Sequence, residues 1–495
     1  MTEVEKAYQH FKDVLKKHDI DAEWDLVRKA FHFAEHAHRD QQRQSGEPYI
    51  IHPIHVATNL AELKMDSRSI AAGFLHDVLE DTETTPDDLD REFGVEVREL
   101  VEGVSKLRTI RMQKENQYID NLRKMLVATA KDIRVLLIRL CDRLHNVQTL
   151  EYLPSTEQHR IALETLEIYA PIAHRLQLGN LKGKLEDGAF KFIHPEQYRW
   201  LYNVTRRNYE ERQAKLMQVS RHIKEILNKE GIRTVSIRAR IKFLYSLFEK
   251  LKRYDNDLSR IHDIVALRVI VPRVSDCYAA LGIIHREYRP IKGRIKDYIA
   301  QPKANGYTSL HTTVHLDDGD IIEVQIRTPE MDIQAEYGIA AHWQYKENGQ
   351  YTKRQLQISW VKELARLMQD IQSPKDFEHA KIELFKNRIF VLTPQGDVID
   401  LPEDATPVDF AYHIHSDIGN TLIKAKINGV IAPLNAKLQN GDIVEAMTDK
   451  NKKGPDIEWL QFAKTRLAIG KIKEAHRKVQ SDWGKKLADE ATSAR

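Results

Sequence analysis

Four side chains in the first third of the chain have the types and the surroundings of metal ligands: His52, the adjacent pair His76-Asp77, and Asp142. The pair follows the apolar run IAAGFL, and Asp142 follows VLLIRLC. A carboxylate carried into a core is costly unless a cation or hydrogen bonds compensate it. Two imidazoles with two carboxylates suit a divalent ion of intermediate hardness, manganese, zinc or iron, ahead of calcium. Such an ion acidifies a bound water and polarises a phosphate oxygen. Read as one helix, AAGFLHDVLED (71–81) stacks Glu80 on His76 and Asp81 on Asp77, since residues four apart share a face. There Glu80 and Asp81 are placed to orient the water or carry its proton. An isolated His-Asp pair is more often a hydrogen-bonded couple in a helical bundle. His52 upstream and Asp142 downstream, both in apolar segments, shift the reading to a metal site.

A second set lies further on. Glu323, Gln325 and Arg327 alternate with Ile322, Val324 and Ile326, so period two puts the polar three on one strand face. Across the hairpin signal Asp317-Asp318-Gly319-Asp320, His311, Thr313 and His315 share a face. Asp263 begins another apolar strand, IVALRVIV, which Arg268 interrupts. Strict alternation sets Asp263 and Arg268 on opposite faces; if both line one pocket, Asp263 lies outside the strand or beyond a bulge. Arg238, Arg240, Lys242, Tyr245, Ser246 and Lys250 form a cationic stretch that opens a helix. A second basic loop, Lys292-Gly293-Arg294-Ile295-Lys296, leads to Lys303-Ala304-Asn305-Gly306-Tyr307. Helix N-termini and cations favour phosphate, and an aromatic among cations can stack a base. Asp263 and Glu323 can share magnesium on a nucleoside triphosphate. Phosphoryl transfer needs positioning, charge neutralisation and a base for the attacking hydroxyl. From charge alone, a surface for RNA is the favoured reading.

The elements that must position these residues divide the chain. Its 495 residues suffice for several cores. Residues 1–155 read as helical, and 156–230 as a more charged helical layer. An α+β region rich in β-branched strands follows over 231–346. A connecting helix falls within 347–386, a small β-rich unit spans 387–449, and a basic helical segment begins within 450–495. With 42% hydrophobic and 30% charged residues the composition is that of a soluble globular protein. A net charge of +3 gives little bulk drive toward nucleic acid. Two cysteines, far apart, exclude a disulfide framework and a multi-cysteine zinc site. No signal-peptide core and no apolar run near the ~18 residues of a membrane span are present, so a cytoplasmic protein with no membrane partner is expected.

Together the two sets resemble the RelA/SpoT homologues, bifunctional synthetase-hydrolases of guanosine tetra- and pentaphosphate (ppGpp and pppGpp). The resemblance rests on RQSGEPY (43–49) with His52-Pro53, HDVLED and LCDRLHN in the first half. In the second half it rests on RIKFLYS (240–246), HDIVALR (262–268), KDYIAQPKANGYTSLHTT (296–313), EVQIRT (323–328) and EYGIAAHW (336–343). It implies an all-α HD-type hydrolase domain, a nucleotidyltransferase-like α+β synthetase with a mixed sheet, and a β-grasp-like TGS domain. It further implies Mn2+ on His52, His76, Asp77 and Asp142, with Glu80 and Asp81 acting on the water and Arg43, Ser45 and Asn146 on the nucleotide. In the synthetase it implies adenine of ATP between Arg240 and Arg268, with Lys242, Ser246 and Lys250 on the phosphates. Mg2+ would sit on Asp263 and Glu323, and Glu323 would activate the acceptor 3′-hydroxyl. Tyr307 would stack on the guanine of GDP or GTP, with Lys303, Asn305 and His311 around it. Arg294 opens an RxKD loop of the bifunctional type. Through TGS the resemblance implies uncharged tRNA, with His415 as contact, and the ribosome.

Three features depart from the pattern. Gln44 replaces a basic or small residue, which predicts weaker nucleotide binding in the hydrolase. Ala239 and Ile241 replace Gly and Pro, which predicts a less constrained loop before the ATP contacts. The chain ends at Arg495, where long members continue into further regions. The layer 156–230 is expected to couple two opposed activities. Rival readings are a one-sided member and an RNA-sensing module with degenerate sites.

Overall fold

Apolar residues recur at helical spacing through the first half, and the chain folds there as helices that bury those faces. The computed structural model describes residues 1–18, 23–105, 132–252, 254, 257–258, 261, 264–303, 306–343, 388–439, 441–449, 451–452 and 454–477. They fall in two compact units, Met1–Ala365 and Arg366–Arg495. The helix expected within 347–386 lies outside the described residues.

In the first unit the helices are α1 (Glu3–Lys17), α2 (Trp24–Ala37), α3 (Ile51–Glu62), α4 (Ser67–Leu75), the single turn α5 (Val78–Asp81), α6 (Pro86–Phe93), α7 (Val95–Ser105) and α8 (Ile133–Gln148). Capping boxes from Thr2 and Glu5, and from Thr85 and Asp88, set the starts of α1 and α6. Helices α3, α4 and α8 are buried on most sides, which explains their near-continuous apolar sequence.

The charged layer is α9 (Ser155–Glu164), a π turn (Thr165–Tyr169), α10 (Ala170–Arg175), α11 (Gly179–Ile193) and the long α12 (Pro195–Lys229). Helix α11 faces both ways, packing on α8 and on the helix α13 (Leu244–Lys252) of the α+β region. Gly183 makes this approach feasible, because a Cβ there would lie 2.2 Å from the Phe243 ring. Asp187 accepts from the amides of Leu244 (3.1 Å) and Tyr245 (2.9 Å), capping α13 from the neighbouring layer.

The sheet has the order β1-β2-β5-β4-β3, from β1 (Ser236–Ile241), β2 (Val265–Ile270), β3 (Lys296–Asp297), β4 (Leu310–His315) and β5 (Ile321–Arg327). Strands β2 and β5 are parallel and the other pairs antiparallel, so the sheet is mixed. Leu267, Val269, Val324, Ile326, Leu310 and Val314 turn to one face and pack on α12, α13 and α14 (Val274–Glu287). Alternation sends the polar residues to the other face. There α15 (Pro329–Tyr337) and a 3₁₀ segment (Gly338–Trp343) follow β5. Ile339 N–H donates to Leu176 O at 3.1 Å. A side chain at Gly338 would meet that carbonyl, so α15 is fastened to the helical layer where only glycine fits.

The second unit contains the hairpin β6 (Arg388–Leu392)–β7 (Val398–Pro402), helices α16 (Pro407–Ile414) and α17 (Ser416–Thr421), and the sheet β10-β8-β9 of β8 (Leu422–Ile427), β9 (Val430–Ala432) and β10 (Val444–Thr448). The bridge Leu392–Ile443 joins the two sheets under α16, a β-grasp-like arrangement. The fully buried Asp409 completes a capping box with Thr406 and accepts from Lys464 N, Thr465 N and Thr465 Oγ1. It thereby ties the segment after β10 to this core, with Trp459, Ala468 and Ile472 packed on Val408, Tyr412 and Leu422. No helix among the described residues is long and apolar enough to cross a membrane.

Two candidate active sites

The first site is assembled from three places in the helical half. His52 lies in α3, Asp142 in α8, and His76-Asp77 between α4 and α5. All four are buried, at 1–5% exposure. The expected single helix over 71–81 is not formed. The His76 ring Nδ1 lies 2.9 Å from Gly73 O, taking the carbonyl that a continuous helix would offer to residue 77. The chain turns there, and α5 restarts with Glu80 and Asp81 amides on Asp77 O. Glu80 and Asp81 are therefore half-buried residues on a separate turn after the His76-Asp77 pair, with Glu80 Oε1 itself buried.

His76 Nε2 and His52 Nε2 face each other at 3.2 Å. Asp77 Oδ2 is 3.1 Å from His76 Nε2 and 3.6 Å from His52 Nε2; Asp142 Oδ1 is 3.3 Å from His52 Nε2. Hydrogen bonding fixes the tautomers. Arg43 can only donate, and its guanidinium is 2.8 Å from His145 Nδ1, so that nitrogen accepts. His52 Nδ1, also 2.8 Å from it, must then donate, leaving the His52 Nε2 lone pair toward the centre. With His76 Nδ1–H on Gly73 O, its Nε2 presents a lone pair too. Two lone pairs so close call for a cation between them. Ligand atoms about 2.1 Å from one ion stand roughly 3.0–3.4 Å apart, so the donor set fits a divalent metal. The electrostatics agree. Burial lowers the His52 pKa to about 4, keeping it a neutral ligand. Burial opposes protonation of His76, but the Asp77 carboxylate outweighs it and raises its pKa, the mark of a position that attracts a cation. Burial likewise opposes ionisation of Asp142, yet Arg139 and the two histidines hold it well below the usual carboxylate range.

Beside these groups opens a cavity of about 470 Å³ lined by Arg43, Gln44, Ser45, Tyr49, Asn146 and Arg143 among others. Arg43 donates to Asn146 Oδ1 (3.2 Å), and Asn146 Nδ2 reaches Asp142 Oδ1 at 2.5 Å. Ser45 Oγ is buried without a protein hydrogen-bond partner among the described residues, as a group kept for a ligand would be. Gln44 is exposed on the rim and brings no charge. Sequence reasoning missed His145, Tyr49 and Arg139. His145 and Arg139 carried a signal, since each lies three residues from Asp142 in one helix and so shares its face.

The second site is the polar face of the five-stranded sheet. Register aligns Arg238, Arg268, Gln325, His311 and Lys296 in one row, and Arg240, Ala266, Glu323 and Thr313 in the next. The loosening expected before Arg240 and Lys242 is absent. Residues 236–241 are a paired edge strand, and Lys242 N donates to Ile264 O at 3.0 Å, so the ladder supplies the constraint that proline would have supplied. Arg268 is 7% exposed; its guanidinium edge is held by Asp332 Oδ1 (3.1 Å) and Glu336 Oε1 (2.5 Å). Edge-on pairing leaves the flat face of a guanidinium available for stacking. Asp332 also receives Arg238 and, at 3.4 Å, the fully buried Arg327.

From Arg327 a directed chain runs to Glu323. Arg327 donates to Tyr307 Oη; at the other end the Glu323 carboxylate only accepts, so neutral His311 keeps its proton on Nδ1 and its Nε2 accepts from the Tyr307 hydroxyl at 2.8 Å. His311 Nδ1–H is then the donor to Glu323 Oε1 at 3.2 Å. Burial lowers the His311 pKa, in keeping with this neutral tautomer. Gln325 Nε2 adds a 2.8 Å bond to the same oxygen. Lys303 is exposed along its length, but its ammonium lies 4.7 Å from the Tyr298 ring and 5.0 Å from the Tyr307 ring. The protein crowded around it, with Lys296, Arg240 and Lys242, lowers its pKa to about 8. Ser246 and Lys250 lie on α13, and Ser246 Oγ faces Glu186 Oε2 of α11 at 3.5 Å. Arg294 is half-buried in the loop before β3. Asp263 and Asn305 lie outside the described residues. In the second unit, His415 stands at the α16–α17 corner with its side chain 66% exposed.

Comparison with known proteins agrees with this geometry. An HD domain signature matches residues 30–179, the region found in RelA / SpoT proteins matches 239–350, and a TGS domain matches 389–448. A GTP pyrophosphokinase of Myxococcus xanthus is 43% identical over 479 residues, covering 95% of this chain and 63% of that protein. A guanosine-3′,5′-bis(diphosphate) 3′-pyrophosphohydrolase of Aquifex aeolicus is 46% identical over 460 residues, covering 92% and 65%. One of the same name from Borreliella burgdorferi is 41% identical over 478 residues, covering 96% and 71%. The chain thus spans just under two thirds of the first two relatives. With the HD, RelA/SpoT and TGS regions matched in order, and two thirds or more of a relative covered at this identity, the chain belongs to the RelA/SpoT family.

Proposed function

We propose that the chain transfers pyrophosphate from ATP to the 3′-hydroxyl of GDP or GTP at the sheet, and removes it again from ppGpp or pppGpp at the helical site. The observation that carries this reading is the convergence of His52, His76, Asp77 and Asp142 beside a cavity holding Arg43, Ser45 and Asn146. In the hydrolase the four ligands would hold Mn2+, which supplies an acidified water and polarisation of the leaving phosphate. Arg43 and Ser45 bind and orient the nucleotide, and Glu80 and Asp81 hold or move the proton of the water. In the synthetase Arg240 and Arg268 stack the adenine, while Lys242, Ser246, Lys250 and Arg294 meet phosphates. Asp263 and Glu323 would hold Mg2+, and Glu323, held by His311 and Gln325, accepts the proton of the acceptor hydroxyl. Tyr307, Lys303, Asn305 and His311 surround the guanine nucleotide.

Helix α11 supports coupling of the two reactions, since it caps α13 through Asp187 and packs on α8, which carries Asp142. The exposed His415 supports a further contact with uncharged tRNA, and through it the ribosome, in a cytoplasmic setting. The test is release of pyrophosphate from ppGpp by the purified chain. Mn2+ should support it, a chelator should stop it, and added Mn2+ should restore it. Release indifferent to the chelator would refute the metal assignment.

A further inference from the structure

Tyr49 closes the loop that carries Arg43 and Ser45, and its hydroxyl reaches across to two carboxylates on another element. It lies 2.7 Å from Asp77 Oδ2 and 2.9 Å from Asp81 Oδ2. The loop is a hairpin in which Arg43 N donates to Glu47 O, Gly46 N to Arg43 O and Tyr49 N to Gln41 O. The Tyr49 ring stacks on the buried His38 ring at 4.7 Å and 27°. That ring is itself held by Gln41 Oε1, 2.8 Å from His38 Nδ1. Gln41 also donates to Asp81 O at 2.5 Å. Backbone, ring and hydroxyl of Tyr49 are therefore all fixed, and the hydroxyl is the point where the loop meets the ligand pair.

We propose that Tyr49 is a positioning residue that locks the nucleotide-binding loop to the metal-ligand Asp77 and to Asp81 on the turn that follows it. The assignment rests on the hydrolase reading above. A hydroxyl has one proton and here faces two acceptors. When a cation takes up the charge of Asp77, the proton is drawn to Asp81 and fixes that carboxylate beside the ligand set. Metal and loop then support one another through one side chain that need touch neither substrate nor ion. Groups behind a metal ligand are typically worth 10–100-fold in affinity or activity.

The experiment uses the full chain and Tyr49→Phe, which keeps the ring on His38. Mn2+ binding is followed by electron paramagnetic resonance, pyrophosphate release from ppGpp by steady-state kinetics, and the fold by thermal melting. The variant should bind Mn2+ about tenfold more weakly and lose about 10–100-fold in kcat at saturating Mn2+. KM should change by less than about threefold, because Arg43 keeps its own anchors on His145 and Asn146. Unchanged Mn2+ affinity and kcat overturn the assignment while leaving the hydrolase intact. A loss confined to KM, or a loss accompanied by a collapsed melting transition, overturns it as well. A wild-type chain that neither binds Mn2+ nor releases pyrophosphate overturns the hydrolase reading itself.

Discussion

Asp332 offers a direct test of how the synthetase face is held. Three arginines from three strands converge on it: Arg238 from β1, Arg268 from β2 and Arg327 from β5. Two are buried, at 7% and 1% exposure, and the third has a half-exposed side chain. Burial pulls the Arg327 pKa below its ordinary value, the sign of a charge that is costly to hold there without a partner. Asp332→Asn keeps the shape and removes the charge. Arg268 then retains Glu336, but Arg327 is left with the neutral partners Tyr307, Gln325 and Ser309. Removing one partner of a buried ion pair typically costs about 3–5 kcal/mol, and the surviving Glu336 places this case at about 3 kcal/mol. The chain from Arg327 through Tyr307 and His311 to Glu323 loosens with it. Urea unfolding should show the loss, and ATP-dependent transfer should fall at least tenfold while pyrophosphate release from ppGpp stays within about twofold. Wild-type stability and transfer in Asp332→Asn would refute the claim that this carboxylate organises the face.

Two other outcomes follow from the hydrogen-bond directions and charges. His145→Phe removes the acceptor that fixes the His52 tautomer, so His52 Nε2–H is free to point at His76; Mn2+ affinity, read by calorimetry, should fall about 10–100-fold, and unchanged binding would exclude the relay. Lys303, with a pKa of about 8, is cationic below that pH and neutral above it. The kcat/KM of transfer for the acceptor nucleotide should therefore decline as pH rises through 8, and Lys303→Arg should remove the decline.

Much of both sites was legible because ligand chemistry is local. His52, Asp142 and the His76-Asp77 pair announce themselves by type inside apolar segments, and Glu323 by strict alternation in β5. The break at His76 was not legible, since AAGFLHDVLED contains no proline and its one glycine lies in the helix. It comes from a ring nitrogen taking a backbone carbonyl, a competition that periodicity does not register. Asp332 was hidden for another reason. PEMDIQAEY reads as an ordinary charged helix, and its meaning appears only when β1 and β2, distant in sequence, bring their arginines to it beside Arg327 of the preceding strand. The same holds for Asp187, whose amide partners lie more than fifty residues away. The edge strand at 236–241 likewise owes its order to pairing with β2, which overrides the absence of proline.

The central claim is that one chain holds two separate and opposed phosphoryl sites. It is tested most directly by assaying both reactions on the same preparations of wild type, Asp77→Ala and Glu323→Gln. The account predicts that Asp77→Ala abolishes Mn2+-dependent release of pyrophosphate from ppGpp and keeps ATP-dependent transfer to GDP. Glu323→Gln should do the reverse. Loss of both activities in either folded variant, or of neither, would contradict it.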